Sequence, residues 1–193
     1  MLRIRATVAL LAWLGMACPA LGAQIQVPDG SSINAGLTAA SPGDTVCVQG
    51  GTYYELVTLV PGVVLLGGWD AGFTVRDPAT HVTMIHGESV RSCIVSGAGA
   101  TAVNVVDGFT FHGAGGTPGA AIRVQGGSPV FSGNVIDGNR QAGIAGGAYI
   151  TGGSTVRFSD NVFRNNSSAG SGGAVRIESS SPVFEDNLFT GNV

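Results

Sequence analysis

The sequence contains no lysine: all nine basic residues among its 193 are arginine, so chemistry that needs a lysine base or Schiff base has nothing to run on. Charge of either sign is scarce at 11%, and the formal net charge is −3. An acidic balance of this kind sets aside nucleic acid and anionic membrane surfaces as partners. No apolar run approaches the roughly 20 residues of a membrane-spanning helix, so this segment is not expected to insert in a membrane. No stretch of ten or more residues carries a helical stripe, which excludes a coiled coil. Phosphate loops, nucleophile elbows and cysteine pairs with zinc spacing are absent. Proline is limited to 8 residues and no Gly-X-Y triplet runs along the chain, so the 32 glycines do not make a collagen. A hydrophobic content of 44% excludes disorder. What is present is a glycine-rich, turn-dense, all-β sequence.

Residues 1–23 read as a secretory signal peptide. Arg3 and Arg5 precede an apolar run from Ala6 to Ala17, followed by Pro19 and the small-residue end Ala20-Leu21-Gly22-Ala23. Cleavage is expected after Gly22 or Ala23, with Ala23 preferred. A lipoprotein attachment at Cys18 is disfavoured by Gly15, which stands where leucine is normally found. Export places the chain in a secreted, cell-surface or outer-membrane setting. There Cys47 and Cys93 could form a disulfide, the alternative being two small buried residues in the apolar strands Val46-Cys47-Val48 and Cys93-Ile94-Val95.

The second half repeats. Phe131-Ser132-Gly133-Asn134, Phe158-Ser159-Asp160-Asn161 and Phe184-Glu185-Asp186-Asn187 are spaced by 27 and 26 residues. Each is followed by a second asparagine, at Asn139, Asn166 and Asn192, and preceded by a small-residue turn into a short strand, as in Gly172-Gly173-Ala174-Val175. An earlier turn reads Val106-Asp107-Gly108-Phe109-Thr110-Phe111. Apolar residues alternate within each unit (Ile122 and Val124; Val175 and Ile177), the period of a strand. A unit of about 26 residues cannot bury its own apolar face and must wind once and stack on its neighbour. The expected fold is therefore all-β, a right-handed parallel β-helix with about 26 residues per turn, the hand following from the general preference of parallel crossovers. Residues 24–44 form an N-terminal cap, with Ser32 capping a short helix over Ile33–Ala40 that covers the open end. Residues 45–193 form the repeats, with Gly67 to Thr80 as a projecting loop. Val193 stops in mid-turn without a polar terminal repeat, so the chain is expected to continue beyond it.

The Phe-x-x-Asn and Gly-Gly-Ala-aliphatic units resemble the repeats of polymorphic outer-membrane proteins, within the right-handed β-helix, pectin-lyase-like superfamily. The stretch from Ile33 through Pro42-Gly43-Asp44-Thr45-Val46 to Gly50-Gly51-Thr52-Tyr53 is similar to the opening segment of many secreted members. The resemblance implies an exported or cell-surface protein, adhesive, structural or glycan-binding, whose partners are extracellular polysaccharide or a host or neighbouring cell surface. The alternative it implies is a polysaccharide lyase or glycoside hydrolase, and calcium enters only with the lyase. The Asp-Asp, Gly-His-Gly and Asn-Thr-Asp patterns of the hydrolases are absent from these residues.

Four sets of side chains are candidates, one of them acidic: Asp160 and Asp186 share a slot, with Asp107 and Glu185 in or beside the same turn region, either a calcium-binding cluster of the lyase kind or a solvated face. The asparagines Asn134, Asn161 and Asn187, with Asn139, Asn166 and Asn192, are expected to form hydrogen-bonded structural ladders that satisfy the backbone of the turns. His86, His112, Asp137, Arg164 and Thr190 are expected to share one slot on successive turns, about 5 Å apart. That spacing suits an acid/base pair, or a metal site using the two histidines and Asp137. Each follows an inward apolar residue, however, so alternation turns it to solvent, where mixed polar residues are ordinary. Trp69, Phe73, Tyr53 and Tyr54 either stack on sugar rings or cover the first turns. No cofactor is expected.

Overall fold

The computed structural model describes residues 22–116 and 119–193. Most of the expected signal peptide, residues 1–23, therefore lies outside the described residues. Among those described, no helix is long and apolar enough to cross a membrane.

The chain winds through three parallel sheets. The first stacks Gln24–Val27, Thr45–Gln49, Val64–Trp69, Val105–Asp107, Val130–Ser132, Arg157–Ser159 and Val183–Glu185. The second stacks Gly51–Tyr53, Thr83–His86, Phe109–His112, Val135–Asp137, Val162–Arg164 and Leu188–Thr190. The third stacks Val57–Thr58, Ile94–Ser96, Ile122–Gln125, Ala148–Thr151 and Val175–Ile177. A short extra ladder, Arg140–Gln141 on Ser167–Ser168, adds a fourth edge to two turns. Because strand side chains alternate, each sheet sends one column inward. In the first it runs Val46, Leu65, Val106, Phe131, Phe158, Phe184. In the second it runs Tyr53, Ile85, Phe111, Ile136, Phe163, Phe189. These columns and the apolar residues of the third sheet meet in one continuous core.

The corners are as regular as the strands. Between the first and second sheets a single left-handed residue, Gly133 (φ 59°), Asp160 (φ 57°) or Asp186 (φ 53°), reverses the chain, and an asparagine follows it. Glycine or a short polar residue suits this conformation because larger side chains crowd the carbonyl oxygen. The asparagine then takes up the groups that the corner leaves unpaired. Asn161 Oδ1 accepts from the backbone and side-chain N–H groups of Asn134, both at 3.0 Å, and its Nδ2 donates to Phe131 O at 2.8 Å and Asn187 Oδ1 at 3.0 Å. The second corner repeats the device. Asn139 Nδ2 donates to Asn166 Oδ1 and Asn166 Nδ2 to Asn192 Oδ1, each at 2.9 Å.

The N-terminal end is closed by a helix over Ile33–Ala39, one residue shorter than expected, whose Ile33 and Leu37 are buried in the core. Ser32 caps it by accepting from Ala35 N at 3.2 Å. A second cap comes from the first turn: Glu55 accepts from Ile33 N at 2.6 Å, from Ser32 Oγ at 2.9 Å and from Asn34 Nδ2 at 2.7 Å. A carboxylate at the positive end of the helix, holding several donors, ties the cap to the solenoid. Glu55→Ala is expected to cost about 2 kcal/mol, read as a lowered denaturation midpoint, with Glu55→Gln losing less because it still accepts.

One expectation needs correction, and one open alternative is decided. The strand of the first sheet continues through Gly67 and Gly68 to Trp69, so the projecting loop runs from 70 to 82 rather than from 67. A register shift between Cys47 and Gln49 lets this longer strand stay paired. No disulfide joins Cys47 and Cys93, although both are buried. Cys93 belongs to the core, whereas Cys47 lies between the core residues Val46 and Val48 and so points out of the opposite face of its strand. Burial pushes the Cys93 thiol up to about 12, which leaves it protonated and unreactive.

Candidate functional site

The outer face of the second sheet carries a column of chemically varied side chains. Register pairs His86 with His112, His112 with Asp137, Asp137 with Arg164, and Arg164 with Thr190. The His86 and His112 rings are 5.4 Å apart at 53°. Tyr54, directly after the strand Gly51–Tyr53, heads the same column with its ring 5.5 Å from His86. Tyr54 is 61% exposed and borders a shallow cleft with Ser32, Thr52 and Glu55. Its place follows from the strand period once the register is known, but a tyrosine next to a second tyrosine gives no sign of it in the sequence.

The imidazoles lie across the turn of the next rung. A Cβ on Gly113 would sit 2.6 Å from His86 Nε2, and one on Gly138 would sit 2.8 Å from His112 Cε1. Glycine at these corners therefore does two things: it takes the left-handed conformation (φ 61° and 65°) and it leaves room for a flat ring. Where asparagine fills the same slot, at Asn165, the ring is replaced by the Asp137 carboxylate, which accepts from Asn165 Nδ2 at 3.1 Å.

Hydrogen bonds commit most of the polar atoms. His86 Nδ1 accepts from Glu88 N at 3.0 Å, and His112 Nδ1 is 2.8 Å from the carbonyl of Asp137, to which it must donate. Asp137 accepts from Arg164 Nη2 at one oxygen and from Asn165 Nδ2 at the other, both at 3.1 Å. Burial, then the neighbouring His112 and Arg91, hold His86 below its usual range and favour the neutral ring. A hard cation needs carboxylate oxygens free to coordinate, and Asp137 does not fit that demand. Among the described residues no three His, Cys, Asp or Glu side chains converge as metal ligands.

The other candidates fall elsewhere. The six asparagines run inside the two corners, Asn134, Asn139, Asn161 and Asn166 almost wholly buried, and serve the backbone. Trp69 is 5% exposed and packs 6.5 Å from Phe73, and Tyr53 is 3% exposed with its hydroxyl donating to Gln49 O at 3.0 Å. Both cover the first turns and offer no ring face to a ligand. The 70–82 loop is pinned to the following turn by Arg76, which pairs with Asp107 and donates through Nε to Gly67 O at 2.8 Å. Asp160 and Asp186 share a corner slot, and Glu185 beside them pairs with Arg157.

Comparison with known proteins agrees with this architecture. No curated protein and no solved structure matches the chain significantly. A family model described as the right handed beta helix region matches residues 91–193, which is just over half of the chain and takes in the repeats, both asparagine corners and the column from His112 onward. With the stacked parallel sheets already described, that match makes the chain a member of the right-handed β-helix family.

Proposed function

We propose that the chain is the β-helical stalk of an exported or cell-surface protein, adhesive or structural, that presents the outer face of its second sheet to extracellular polysaccharide or to a neighbouring cell. The observation that carries this reading is the commitment of the column's carboxylate: both oxygens of Asp137 are held by protein partners. General acid–base work needs such atoms free to reach substrate. What the column does offer is Tyr54, His86 and His112, three rings one rung apart, whose flat faces suit the apolar side of a pyranose. Export is supported by the signal-like residues 1–23 and by a first strand that begins at Gln24, directly after the expected processing site. A surface setting is supported by the resemblance of the Phe-x-x-Asn units to polymorphic outer-membrane repeats.

The test is a glycan-binding panel run beside a cleavage assay on the same substrates. Binding without product release is expected, with Tyr54→Ala weakening it about fivefold and Asp137→Asn leaving it within about twofold. Cleavage of a polyuronate that disappears in Asp137→Asn or His112→Ala would overturn the reading in favour of a lyase or hydrolase.

A further inference from the structure

The turn at residues 87–91 sits beside the ring column and is held in an unusual way. Glu88 (φ 52°) and Ser89 (φ 61°) are successive non-glycine residues in the left-handed region, a conformation that persists only where surrounding contacts impose it. Ser89 N donates to Gly113 O at 2.7 Å and Gly87 N to His112 O at 3.0 Å, docking the turn on the next rung. Gly115 fits directly beneath: a Cβ there would be 1.9 Å from Ser89 O. The Glu88 carboxylate pairs with Arg91, whose Nη2 also donates to Tyr54 O at 3.1 Å. Gly115 N donates to Arg91 O at 3.0 Å, and Glu88 N–H donates to His86 Nδ1 at 3.0 Å.

Only that last bond depends on protonation near neutral pH. An imidazole nitrogen accepts while it is unprotonated, and a protonated ring has two donors and no acceptor. We propose that His86 is an acid-sensitive latch: a proton on Nδ1 removes the acceptor of Glu88 N–H and releases the 87–91 turn from the ring column. The groups facing His86 are Tyr54 and His112 in the column and Glu88 and Arg91 in the turn. The sign follows. Neutral His86 is the form favoured by the fold, so the latch is closed above about pH 6.5 and opens as pH falls below it. The latch belongs to the fold and stands whether or not the face binds a glycan.

The experiment is amide hydrogen exchange followed by mass spectrometry on the full chain at pH 7.5 and 5, corrected for intrinsic exchange. Protection of the 87–91 peptide is expected to fall about tenfold at the lower pH, the effect of losing one hydrogen bond, while Ile122–Gln125 in the third sheet stays protected. His86→Asn, whose amide oxygen can accept in place of Nδ1 but does not titrate, should hold the turn closed at both values. His86→Phe should leave it open at both. Unchanged protection of the wild-type turn across this range would overturn the latch. So would the same loss in His86→Asn, since another group would then be titrating, or loss of protection throughout the chain, since the opening would not be local.

Discussion

Replacing Asn161 by alanine is expected to lower the unfolding free energy by about 3 to 5 kcal/mol, a large loss for a side chain with no apolar surface to bury. Asn161 is 1% exposed. Its oxygen is the partner of the Asn134 backbone N–H, and its nitrogen is the partner of Phe131 O and Asn187 Oδ1. Alanine leaves Asn134 N–H and Phe131 O without these partners in a buried corner, while Asn187 Oδ1 keeps the Asn161 backbone N–H, and each buried orphan costs about 1 to 3 kcal/mol. Asn161→Asp separates the two halves of the role, since a carboxylate still accepts from Asn134 but cannot donate to Phe131 O. It should fall between wild type and alanine at neutral pH. Urea denaturation followed by circular dichroism measures both. A loss below about 1 kcal/mol for Asn161→Ala would mean that the corner finds other partners.

Phe158→Ala should cost a similar amount, about 3 to 5 kcal/mol, for the opposite reason. Phe158 is fully buried and stacks between Phe131 at 5.2 Å and Phe184 at 5.1 Å, with Phe163 edge-on at 5.7 Å. Its removal opens a cavity whose walls are strands fixed by hydrogen bonds above and below, so they collapse little. Valine already stands in this column at Val106, one rung beyond Phe131, so Phe158→Val should recover part of the loss. Phe184→Ala, at a partly exposed position in the same column, should cost clearly less. Equal losses at the two positions in a calorimetric melt would show that packing in the column does not depend on its depth.

The repeat made the later turns readable because each of them uses the same two corners. One left-handed residue and one asparagine recur twice per turn, and an asparagine that must satisfy a buried backbone cannot vary freely. The column of the second sheet was equally accessible, since the strand period and a fixed corner together set the register. The earlier turns were harder to read. Thr83 occupies the asparagine slot two rungs before Asn134 and meets its demands with a hydroxyl, accepting from Gly68 N at 2.8 Å. Phe109 and Ala114 take the slots next to Asn134 and Asn139 and contribute only their backbone N–H. Neither substitution matches the repeat by residue type. Asn104 shows the same limit from another side: it staples Val60 O, Gly62 N and Val63 O at a distance of more than forty residues, with nothing nearby in the sequence to mark it. Glu55 and Tyr54 act across turns as well, and such partners emerge only from the winding.

The asparagine corners also bear on how such a chain can change its length. Each turn presents to the next the same amide donors that it has itself satisfied in the turn before. A duplicated stretch of one full period therefore arrives with its own acceptors in phase and meets a surface already made for it, wherever in the repeat the cut falls. A duplication out of phase puts apolar side chains outward and asparagines where no corner needs them. The gene can thus gain or lose whole turns as single events while insertions of a few codons collect in loops such as residues 70–82. Length becomes an inherited variable that selection can adjust without redesigning the core.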